Sequence, residues 1–171
     1  KPPEASGAMT DATELQTISL VHIQAQLAEL FDAQVAPLLA ASQGQPIQHW
    51  RLTLASDLAI RAVQVSVGTP PDAPQLLPAQ VHKAYATYRP VNRLLFAWRC
   101  QLQGDGHWDW PLYGEQVRAT LTHALRQALL RHGRADAIEL LVEGERGRQA
   151  STQLIHAADP LPAPDPAWLQ G

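Results

Sequence analysis

Residues 93–113, RLLFAWRCQLQGDGHWDWPLY, decide how the rest of this chain is read. From Leu94 onward the apolar side chains Leu94, Phe96, Trp98, Cys100 and Leu102 alternate with Leu95, Ala97, Arg99, Gln101 and Gln103. Successive side chains of a strand point to opposite faces, so this spacing predicts a half-buried antiparallel strand. Gly104-Asp105-Gly106 tolerates positive φ in a tight turn. Behind it Trp108, Trp110 and Leu112 alternate with His107, Asp109 and Tyr113. The expected element is a β-hairpin over 93–113, with Trp98 facing the core and Arg99 facing solvent.

Upstream, Asp11 with Glu14 resembles a helix cap and its returning carboxylate. Leu20, Ile23, Leu27, Leu30, Phe31 and Leu38 then recur at helical steps and predict an amphipathic helix over 11–40, kinked or ended near Pro37. Trp50, Leu52 and Leu54 predict a strand near 47–55, and Val63, Val65 and Val67 one near 59–67, although Ala59–Ala62 alone also suits a helix. Gly68–Pro78 holds Pro70, Pro71, Pro74 and Pro78 and reads as a surface loop. Ala79–Arg89 fits a short helix better than a strand. Downstream, Val117, Leu121, Ala124, Leu125 and Ala128 share one face of a helix over 115–132, stopped by Gly133. Strands are expected at Ile138–Val142 and around Thr152–His156. The fold class is therefore α+β, an antiparallel sheet built from hairpins with two long helices packed on one face. Residues 9–158 are expected to form a single domain. Residues 1–8 precede the sole methionine, Met9, and read as an added leader; 159–171 reads as a proline-rich tail that carries Trp168.

Composition narrows the functional classes. Of the 171 residues, 46% are hydrophobic and 17% charged, which suits a folded globular chain. A net charge of -3 and a pI near 6.1 give no general attraction to nucleic acid or anionic lipid. No run of about 18 apolar residues occurs, so no membrane span is expected. Cys100, the single cysteine, reads as a small buried hydrophobe, and with no secretion signal in view a cytoplasmic location is expected.

Catalytic signatures are missing. There is no HExxH, no nucleophile elbow and no phosphate-binding glycine loop. His107 and Asp109 share a strand face at a spacing used by two ligands of a 2-His-1-carboxylate iron site, with His156 as a distant third. A small metal-dependent enzyme built on His107/Asp109 is thus one alternative. Another is a nucleic-acid-associated domain using Arg118, His123, Arg126, Arg131 and Arg134 on and beyond the helix over 115–132. The favoured reading has no catalytic residue, no metal and no cofactor. It places partner binding on Asp105, His107, Trp108, Asp109, Trp110 and Tyr113, where aromatics supply contact area and carboxylates meet a basic partner.

Trp98, then Gly104-Asp105-Gly106, then Trp108-Asp109-Trp110, preceded by a Trp50-bearing strand, resembles the closing hairpin of YezG-like bacterial immunity proteins. The outline covers about 10–113; the helix and hairpin that follow depart from it. The helix-and-hairpin order resembles secretion effector chaperones more loosely. Either likeness implies a non-enzymatic chain whose partner is another protein, a toxin that it neutralises or an effector that it holds.

Overall fold

The computed structural model describes residues 18–80, 84–104 and 109–162. Among them the chain forms three helices, α1 (Leu20–Ala41), α2 (Ala84–Gly104) and α3 (Trp110–Arg131). It also forms one five-stranded sheet from β1 (Ile47–Leu54), β2 (Ile60–Val67), β3 (Gln75–Leu77), β4 (Ile138–Val142) and β5 (Ser151–Ile155), in the order β3-β2-β1-β4-β5. The α+β class holds. The sheet is mixed, however, and not wholly antiparallel: β1 and β4 run parallel at its centre.

The local patterns explain most elements. Ser19 caps α1 by accepting from the His22 amide, and Leu20, Ile23, Leu27, Phe31, Val35 and Leu38 form its buried stripe. Pro37 lies inside this helix and does not end it. The expected cap at Asp11 and Glu14 lies outside the described residues, as do residues 1–8 and Trp168. β1 and β2 make the predicted hairpin, and Asp57 holds its turn by accepting from the Ala59 amide at 3.1 Å. The proline-rich loop contributes the short edge strand β3, whose three residues fall between Pro74 and Pro78.

The correction concerns residues 93–113. The stretch expected as a hairpin instead completes α2, pauses, and opens α3. Tyr88, Val91, Leu95, Trp98 and Leu102 are buried, at steps of three and four that draw one stripe along a helix. Trp98 and Leu102 satisfy both periods, and this is how alternation misled the strand reading. Phe96, expected beside Trp98 in the core, is 62% exposed, and Cys100 is exposed as well. Two side chains stitch α2 to the sheet. Asn92 both accepts from the Ile60 amide (2.7 Å) and donates to the Ile60 carbonyl (3.0 Å), which satisfies the backbone where β2 meets a register irregularity. The Tyr88 hydroxyl accepts from the Val63 amide at 3.1 Å; burial pushes its pKa up to about 12 against the opposing pull of that amide.

The parallel pair follows from where α3 ends. Residues 110–113 of α3 lie near the β1–β2 turn, while its far end meets α1 through Arg131 and Asp32 at 3.0 Å. The chain thus returns to the end of the sheet where β1 begins. There the Trp50 amide donates to the Ala137 carbonyl (2.9 Å) and the Trp50 indole to Asp136 (3.1 Å). β4 leaves from that point in the direction of β1, in the register Trp50↔Ile138, Leu52↔Leu140 and Leu54↔Val142. Trp50, Leu52, Leu54, Val63, Val65, Ile138 and Leu140 line the buried, helix-covered face. The other face carries the polar row Gln64, Arg51 and Glu139, with Arg51 bonded to Glu139 at 2.6 Å.

Trp98→Ala should cost about 3–5 kcal/mol of stability, since it empties a fully buried site. Phe96→Ala should cost about 0.5 kcal/mol or less, because its ring is mostly in water already. Urea midpoints of the two variants test this; equal losses would mean the α2 register is wrong.

Candidate functional site

The inward stripe of α2 forces Phe96, Arg99 and Cys100 onto its outer side. α3 then brings two more aromatics to the same place. Asp109 is its cap: with φ -141° and ψ 109° it is extended, and its carboxylate accepts from the Leu112 amide at 3.0 Å. The Asp109 carbonyl also accepts from the Tyr113 amide at 2.9 Å. Pro111 suits this first turn, where its missing N–H would have had no partner in the helix. One turn of helix then separates Trp110 from Tyr113, so the two rings fall side by side.

The result is a graded stack that runs from core to surface. Trp98 is fully buried, with its ring centroid 5.6 Å from that of Tyr113. Tyr113 is itself buried and lies 5.7 Å from Trp110. Trp110 is 41% exposed, and the Arg99 guanidinium sits 5.0 Å from its ring centroid. The Tyr113 hydroxyl donates to the Leu95 carbonyl at 3.4 Å. Burial pushes that hydroxyl's pKa well above its ordinary range; the Arg99 charge pulls the other way, while Asp57 and Cys100 add to the rise. Tyr113 therefore stays neutral and serves as the rigid floor on which Trp110 rests. Beside it, Asp57, Asn92, Phe96 and Arg99 line a hollow of about 30 Å³, room for roughly one water.

The expected site residues divide as follows. Trp110 reaches the surface, Tyr113 does not, and the Asp109 carboxylate is occupied by its own helix. Asp105, His107 and Trp108 lie outside the described residues. Phe96 and Arg99 were missed because the strand reading put one in the core and the other in solvent by itself. Their signal was present in the stripe Tyr88, Val91, Leu95, Trp98 and Leu102, which leaves Phe96 off the buried face.

No family model, curated protein or solved structure matches this chain. The surface must therefore be judged on its own chemistry. Among the described residues, no three His, Cys, Asp or Glu side chains are grouped to hold a metal, and no helix is long and apolar enough to cross a membrane. The arginines around α3 are largely engaged within the molecule. Arg126 donates to the His156 carbonyl (3.1 Å), Arg131 to Asp32 and Arg134 to Asp136.

Asp109→Ala should destabilise the chain by about 0.5–2 kcal/mol through loss of the cap, whereas Asp109→Asn should retain most of it. Chemical denaturation of both variants is the check. An asparagine as costly as alanine would show that charge at the helix N-terminus, and not the cap hydrogen bond, is what matters.

Proposed function

We propose that this chain is a non-catalytic protein-binding module that engages its partner through the surface formed by Phe96, Arg99 and Trp110. The observation that carries the reading is Trp110, 41% exposed yet held between Tyr113 and the Arg99 guanidinium. Exposed apolar residues scattered singly need no explanation. Here an exposed Trp, an exposed Phe and an Arg adjoin one another on two helices locked to the core. Trp and Arg are the residue types that dominate binding energy at protein interfaces, and a side chain already held in place loses little freedom on contact. The hollow beside them is far smaller than the roughly 300–1,000 Å³ usual for substrate pockets.

The partner that fits is a protein with an apolar contact ringed by acidic or carbonyl groups that meet Arg99. This differs from the basic partner expected from Asp105 and Asp109, because the Asp109 carboxylate already faces its own helix. A toxin neutralised by this chain, or an effector held by it, is the narrower form of the proposal. The likeness that suggested it was argued on a strand and turn at 93–110. Trp98 of that segment is helical, so the narrower form has no structural support from the hairpin.

With the partner isolated, calorimetry should show Trp110→Ser weakening the complex at least tenfold, about 1.4 kcal/mol, with the helical circular dichroism retained. Leu154→Ser, an exposed change on β5, should leave affinity unchanged. Unaltered affinity in a folded Trp110→Ser variant would contradict the proposal.

A further inference from the structure

A larger cavity lies at the opposite edge of the sheet from β3, enclosed by α3, β4, β5 and residues 159–162, with a volume of about 210 Å³. Leu140, Ile155 and Leu161 give it apolar walls. Two of its polar groups are unexplained by folding. Thr122 is fully buried, and its Oγ1 has no hydrogen-bond partner among the described residues. A buried hydroxyl left without a partner is costly, so such a group calls for a reason. One turn earlier on the same helix face stands Arg118, half-buried, whose guanidinium pairs with no described residue. Gly114 makes room for it. A Cβ there would come within 3.1 Å of the Arg118 Nη1, although glycine inside a helix sacrifices stability relative to alanine.

The remaining charges on the wall belong to Glu115 and Asp159. One Asp159 oxygen accepts from the His156 amide at 2.8 Å, which fixes the carboxylate in place. The cavity thus combines one guanidinium and a free hydroxyl with two carboxylates over an apolar floor. A simple anion would meet a net negative wall, and a simple cation would leave Arg118 unmatched. A molecule bearing both charges satisfies both. The volume falls below that of drug-sized pockets, about 300–1,000 Å³, and suits a body of only a few carbons.

We propose that this cavity binds a small zwitterion, an α-amino acid with a short aliphatic side chain. Its carboxylate meets Arg118 and the Thr122 hydroxyl, and its ammonium meets Glu115 and Asp159. The site is separate from the Phe96–Arg99–Trp110 surface, and its test does not depend on that surface.

The test is methyl NMR on the full chain titrated with L-valine, with isobutyrate and isobutylamine as single-charge probes. L-valine should give saturable shifts at the Leu140 and Ile155 methyls, and each single-charge probe should bind at least tenfold more weakly. Arg118→Gln should weaken L-valine binding at least tenfold. Thr122→Val keeps the side chain's shape and removes the hydroxyl. It should weaken binding at least threefold while melting no lower than the parent chain, which a purely structural threonine would not allow. Absence of saturable shifts at millimolar L-valine would mean the cavity holds only water and would overturn the proposal. So would isobutyrate binding as tightly as L-valine, or an Arg118→Gln chain with undiminished affinity.

Discussion

The parallel contact between β1 and β4 is the constraint on which the rest of the molecule depends. Antiparallel neighbours can be joined by a short turn, but parallel ones need the chain to travel back before the second strand starts. Here that return is made by α2 and α3, which run along the sheet and back. Trp50 secures the arrival point through its amide to Ala137 and its indole to Asp136, and Arg134 holds that same carboxylate at 2.8 Å. Because α2 and α3 must reverse beyond the β1–β2 turn, the reversal carries Phe96, Arg99 and Trp110 to that end of the molecule. The candidate surface is a consequence of the crossover.

Apolar burial, more than charge, holds this arrangement. The Arg51–Glu139 pair spans the β1–β4 seam at 2.6 Å, but both side chains keep contact with water, at 28% and 20% exposure. Pairs exposed to solvent contribute about 0–1 kcal/mol. Beneath the same seam Trp50, Leu52, Leu54, Ile138 and Leu140 are buried, and fully burying one such aliphatic side chain is worth about 1.5–3 kcal/mol. The ion pair therefore helps to set register, while the core supplies the strength. The aromatic stack extends that core outward. Trp98 anchors Tyr113, Tyr113 supports Trp110, and only the last ring meets solvent.

Much of the fold was legible because its patterns are local. The alternation Trp50, Leu52, Leu54 and the run Ile138, Leu140, Val142 each give a strand, and the stripe from Val117 to Ala128 gives a helix. Two things were not legible. Parallel pairing of strands more than eighty residues apart leaves no local mark. The segment 93–104 satisfies two periods at once, and Gly104-Asp105-Gly106 tipped the choice toward a hairpin. Val91 and Leu95 resolve it, since neither fits an alternation through Trp98 that excludes them, and both fit the helical stripe. Of the candidate site, Trp110 could be read as an interface residue from its type alone. The capping role of Asp109 needed the helix start, and the partnership of Phe96 with Arg99 needed the correct period.

Amide hydrogen exchange at the two ends of the central pair tests this account most directly. The Trp50 amide bonds the Ala137 carbonyl at 2.9 Å, and the Glu143 amide bonds the Leu54 carbonyl at 2.8 Å, so these two report the parallel contact and no other. If β1 and β4 pair as described, both amides should open only with a free energy approaching that of global unfolding. Exchange at either amide as fast as in an exposed loop, in a chain whose β1–β2 amides remain protected, would contradict the parallel pairing and with it the placement of the candidate surface.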